Sequence, residues 1–170
     1  DRFEQIDSKE IINGVETPKL MKILDMVDWE YLSKESPHRF HGDLHFENIL
    51  VNDTNNPPFT LLDWRQEYGG YLEYGDIYYD FAKLNHGFII CHELISKDLY
   101  KVHHRLSIID YDFLRKSNLV ECEVYFKEYI NRKGFDYNKV KMLTSLIFLK
   151  PSVFIKSTSS FLIFVIIFGP

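Results

Sequence analysis

Residues 41–62 interrupt an otherwise helical rhythm, and that interruption limits the folds open to this chain more than any other feature. Upstream, Leu20, Ile23, Leu24, Val27 and Tyr31 recur at steps of three and four, which predicts a helix between Pro18 and Lys34, stopped by Ser36 and Pro37. Downstream, Ile77, Phe81, Leu84 and Phe88 repeat the spacing and predict a helix over 76–95, with Asp76 after Gly75 as its cap. Between them, 49–51 and 59–62 read as two short strands joined by the Asn- and Pro-rich turn 52–58, a β-hairpin. A third helix is expected over about 119–133, presenting Cys122, Phe126 and Tyr129 on one side and closing at Gly134. Asn138 opens a fourth, in which Val140, Leu143 and Ile147 align. The pattern is α+β and mainly helical, with a small hairpin at its centre.

Length and composition permit such a unit. The chain has 170 residues, 45% hydrophobic and 26% charged, enough to bury a core in one domain and unlike a disordered segment. No internal repeat or low-complexity linker divides it. Its 20 Lys and Arg against 25 Asp and Glu give a net charge of -5, a poor match to the clustered positive charge that nucleic acid requires. Cys91 and Cys122 are far apart in apolar patterns and are expected as reduced core residues of a cytosolic protein. Residues 1–15 mix charges throughout and lack the apolar stretch of a signal peptide. The terminal apolar run 161–168 is far shorter than the roughly 20 residues of a membrane-spanning helix, so no span is expected; as a β-prone, uncharged segment it is an aggregation hazard if exposed. The role of 151–170 is left unassigned.

Chemistry concentrates in the interruption. His41-Gly42-Asp43-Leu44-His45-Phe46-Glu47-Asn48 is followed by Leu61-Leu62-Asp63-Trp64, and the hairpin can return the chain so that Asp63 faces Asp43 and Asn48. Two carboxylates and an amide oxygen are hard donors of the kind that suits Mg²⁺, which keeps several waters and takes further ligands from substrate phosphates. A carboxylate left off the metal can accept the proton of an attacking hydroxyl, so the set matches phosphoryl transfer.

These residues also carry a resemblance. HGDLHFEN resembles the catalytic loop of the aminoglycoside phosphotransferase and choline kinase family, a His-x-Asp followed by Asn five residues after the Asp. LLDW resembles that family's metal-binding strand end, and Asp80 in YYDFAKL resembles the acidic residue that braces the loop from the next helix. The resemblance covers about residues 17–150 and implies a protein-kinase-like C-terminal lobe with a small catalytic hairpin. It implies Asp43 as catalytic base, Asn48 and Asp63 as Mg²⁺ ligands, His41 as a loop-structuring residue, and Asp80 as a structural acceptor for the loop backbone. ATP and Mg²⁺ are the implied cofactors, and the implied acceptor is a hydroxyl of a small molecule, an amino alcohol such as choline or a sugar. His45 and Glu47 occupy variable loop positions and receive no chemistry, and no substrate-binding residue is assigned.

Three other readings compete. No Gly-rich strand-turn-strand precedes His41, so an ATP-binding lobe is expected upstream of Asp1, which reads as a cut point; without that lobe the chain would be a catalytically incomplete fragment or a pseudokinase acting as a binding module. Asp43-x-His45, with His86, His92, His103 and His104, would suit a metallophosphoesterase, but His86 and His92 are six apart and expected on different helix faces. Tyr68, Tyr71, Tyr74, Tyr78 and Tyr79, with Glu67 and Glu73, would either hold a cation or pack around a helix start; packing is favoured.

Overall fold

The computed structural model describes residues 11–34, 36–54, 56–67 and 69–149. Three helices build the main core. The first, α3 (Ile77–Ile89), starts at Asp76, whose carboxylate accepts from the Tyr78 amide. The second, α5 (Ser117–Arg132), ends at Gly134, where φ is +80°. There the Gly134 amide donates to Asn131 and the Phe135 amide to Ile130, the paired bonds of a Schellman cap that needs a left-handed residue. The third, α6 (Tyr137–Leu149), is capped by Asp136, which accepts from Asn138 N at 2.8 Å. Phe88, Phe126, Ile130, Tyr137 and Val140 are buried between these helices, with Tyr78, Phe81, Leu84, Leu119 and Phe135 around them. A polar chain crosses the same core: Tyr137 Oη donates to Asn85, whose amide donates to Thr144 Oγ1.

The expected 18–34 helix is two short ones, α1 (Leu20–Asp25) and α2 (Trp29–Ser33). Asp28 makes the break: its side chain takes the Tyr31 amide at 2.8 Å and starts a new helix, competing with continuation of the first. Likewise the expected 76–95 helix ends at Ile89, the backbone turns extended at Ile90, and α4 (His92–Ser96) follows. Ile90 leaves the helical path to be buried against Phe148. The faces of the later helices also differ from expectation. Cys122 is exposed and Tyr129 is 37% exposed, while Phe126 and Ile130 carry the buried side of α5. Cys122 is therefore not a core residue, and Cys91 is only half-buried. In α6, Val140, Thr144 and Phe148 are buried, with Leu143 and Ile147 at the margin.

A four-stranded sheet, not anticipated from the sequence, lies at the other side of the chain. Its order is β2 (Val15–Glu16), β1 (Ile11–Ile12), β8 (Ile108–Phe113), β7 (Tyr100–Arg105). Strand β1 runs parallel to β8, Ile11 opposite Ile108, and buries Ile12 against Ile109. Two smaller antiparallel pairs frame the site. The pair β3 (Pro37–His38) and β6 (Gly75–Asp76) brings the chain from α2 alongside the start of α3. The expected hairpin is present as β4 (Ile49–Val51) and β5 (Phe59–Leu61), with Leu50 opposite Thr60. The molecule is thus α+β, six helices with several small sheets among the described residues. The run 161–168 lies outside them, and no described helix is long and apolar enough to cross a membrane.

Candidate active site

The loop from His41 to Asn48 is held by directional hydrogen bonds. Asp80, one turn into α3 and buried, accepts from the His41 amide at 2.5 Å and the Gly42 amide at 2.8 Å through its two carboxylate oxygens. Burial pushes the Asp80 carboxyl up, and the two amide bonds only partly offset it. Gly42 has φ +81°, and a Cβ there would stand 2.5 Å from Arg65 Cβ and 2.9 Å from Phe40 Cε2. Only glycine fits both the backbone and the space.

His41 is buried, and its Nδ1 accepts the Asp43 amide at 3.2 Å. The ring proton must then sit on Nε2, which has no hydrogen-bond partner among the described residues. The ring packs 5.0 Å from that of Trp64. At the far end of the loop, buried Asn48 donates through Nδ2 to the Asp43 carbonyl at 3.0 Å. Both ends of the loop are therefore tied around Asp43.

The hairpin returns the chain to this loop. Leu62 N donates to the Asn48 carbonyl and Arg65 N to the His41 carbonyl, both at 2.8 Å, so Asp63 is pinned between two main-chain bonds to the loop ends. Asp63 is exposed and adopts φ +55°, a left-handed backbone uncommon for a residue other than glycine. The main-chain bonds on either side hold it there, and Asp tolerates this backbone better than most side chains.

The Asp43 carboxylate is half-buried, and its Oδ1 lies 2.7 Å from Lys83 Nζ. Its Oδ2 stands 3.5 Å from His45 Nε2. Burial alone would raise this carboxyl; the Lys83 bond and charge, with His45 and Arg65, outweigh it and hold Asp43 below its ordinary value. His45 in turn contacts Glu47 at 2.8 Å, and Glu47 meets His92 at 3.4 Å. Lys83, His45 and Glu47 had no assigned role in the sequence reading, yet all belong to the surroundings of Asp43. For Lys83 the only sequence signal is its position three residues after Asp80, one turn along the same helix face.

The donors present are of the chemical kind that a hard divalent cation takes. The Asn48 amide nitrogen is committed to Asp43 O, which leaves Oδ1 as the amide's lone-pair donor. The Asp63 carboxylate is exposed on the returning strand end. Among the described residues no three His, Cys, Asp or Glu side chains gather into a site for a metal ion. His86 and His92 do not point apart as expected: their rings lie 6.4 Å from each other because the helix breaks at Ile90. The tyrosine group divides, Tyr78 packing against Phe81 and Phe135 while Tyr71 and Tyr74 are exposed; Tyr68 lies outside the described residues.

A family model described as the phosphotransferase enzyme family, APH, matches residues 10–114. The chain belongs to this family. The match spans more than half of the chain, includes every residue of the loop, hairpin and α3 discussed above, and ends before α5. Phosphotransferase activity is the general activity of this family. No curated protein and no solved structure matches the chain.

Proposed function

We propose that this phosphotransferase moves the γ-phosphate of ATP to a hydroxyl of a small molecule, an amino alcohol such as choline or a sugar. The observation that supports it best is the clamp of Asp80 on the His41 and Gly42 amides, which fixes the loop and presents Asp43 at its surface. Asp43 accepts the proton of the attacking hydroxyl. A carboxylate held below its ordinary pKa suffices, because phosphoryl transfer passes through a loose transition state in which the nucleophile has gained little charge. Asn48 and Asp63 would hold Mg²⁺, which when bound neutralises charge on the phosphates. His41, with its ring beneath the loop, keeps the Asp43 amide oriented. A protein-kinase-like arrangement would add an ATP-covering lobe to this site, and the proposed setting of the reaction is the cytosol.

The test is transfer of labelled γ-phosphate by the full-length protein across a panel of amino alcohols, aminoglycosides and sugars. Label in an acceptor hydroxyl, lost on chelation of Mg²⁺, is expected. Release of phosphate from a simple ester without ATP, or no nucleotide binding with Mg²⁺ present, would contradict the reading.

A further inference from the structure

Helix α3 holds the loop at two points. Asp80 takes the loop's backbone, and one turn later Lys83 takes the side chain of Asp43, since residues three apart share a helix face. The backbone of Asp43 is fixed by His41 and Asn48, but those bonds leave its side-chain torsions unconstrained. Lys83 Nζ lies 2.7 Å from Oδ1, whereas His45 Nε2 at 3.5 Å from Oδ2 is too far for a strong bond. The lysine side chain is itself only 23% exposed, so its stem is packed and its ammonium is aimed.

We propose that Lys83 is a positioning residue that occupies Oδ1 of Asp43, fixes the carboxylate in one rotamer and leaves Oδ2 as the oxygen that takes the acceptor's proton. The inference rests on the phosphotransfer reading of Asp43. In the step it serves, the acceptor O–H bond breaks and its proton goes to Oδ2. The oxygen's electron pair forms the new bond to the γ-phosphorus. The bond from that phosphorus to the bridging oxygen breaks, and its electron pair leaves with the nucleoside diphosphate. Lys83 neither gains nor loses a proton. His45, kept by Glu47, closes the opposite side of the carboxylate and limits the directions from which a hydroxyl can approach Oδ2.

Two readouts on the full-length protein, wild type against Lys83→Met and Lys83→Arg, separate positioning from simple loop support. Three-bond couplings of Asp43 measured by NMR should report one χ1 rotamer in the wild type, averaging in Lys83→Met and a single rotamer again in Lys83→Arg. In turnover, Lys83→Met should lower kcat by on the order of 10²-fold, the size expected from displacing a reacting group by about 1 Å, with KM for both substrates nearly unchanged. Lys83→Arg should recover most of that loss. A Lys83→Met protein that keeps one Asp43 rotamer, or that keeps its kcat, overturns the inference. A wild type that transfers no phosphate, combined with an averaged rotamer in Lys83→Met, would sink the phosphotransfer reading and uphold the hold of Lys83 on Asp43.

Discussion

Phe126 and Phe59 carry the same side chain in opposite settings. Phe126, in α5, is 8% exposed and touches the rings of Phe81, Phe88 and Tyr137; Phe59, in the site hairpin, is 48% exposed. The difference extends to the two regions. The helical core is held by apolar contact, whereas the hairpin leaves Leu50, Val51, Leu62 and Trp64 open to solvent and is tied to the loop by main-chain hydrogen bonds. Burial is non-directional and supplies stability; directional bonds fix where Asp43, Asn48 and Asp63 stand. The molecule therefore separates what keeps it folded from what aims its site.

The sharpest attack on that separation is Phe126→Ala. Emptying the α3, α5, α6 core should cost about 3–5 kcal/mol and lower the urea midpoint steeply, with site and core lost together. Next is Asp80→Ala, which strands two buried amides and should cost roughly 2–4 kcal/mol. Amide hydrogen exchange should show protection falling most at His41 and Gly42 and less in α5; equal loss in both regions would blur the distinction.

The third prediction concerns acid. Burial, with Lys83, His92 and His45 nearby, pushes His86 down to about 4, and its ring lies 4.3 Å from that of Phe148. An unfolded His takes its proton near its ordinary value of about 6.5, so below that pH the unfolded state binds a proton that the folded state refuses. Stability should be full above pH ~6.5, decline as pH falls to about 4 and level off below, a loss of the order of 3 kcal/mol for a ring largely withdrawn from water. His86→Phe should flatten this slope in denaturant titrations at pH 4.5 and 7. The smallest effect is expected at Phe59→Ala: less than about 1 kcal/mol, since half of its surface never leaves water.

Much of the site region was legible because it is written in local chemistry. The hairpin, the Asp76 cap and the Gly134 cap follow from neighbouring residues whose bonds are short-range. The breaks after Asp25 and Ile89 were not legible, since apolar spacing runs straight through both and only the side-chain bond of Asp28 and the burial of Ile90 decide them. The β7–β8 hairpin was hidden because its turn, Leu106-Ser107, carries no Gly, Asn or Asp, and β1 joins it from nearly a hundred residues away. Lys83 was missed for a related reason: a lysine on a helix reads as a solvated face until the loop opposite it is placed. His86 and His92 looked separated while the helix was taken as continuous, and its bend at Ile90 brings their rings together.

The central claim is that the loop around Asp43 does chemistry while the helical core keeps the fold. Asp43→Ala in the full-length protein, assayed for Mg²⁺-dependent phosphate transfer from ATP and for its thermal midpoint, tests it most directly. The account predicts a fall in kcat of about 10²–10⁴-fold, the usual worth of a positioned general base, with the midpoint within a few degrees of wild type. Unchanged turnover in Asp43→Ala would contradict it.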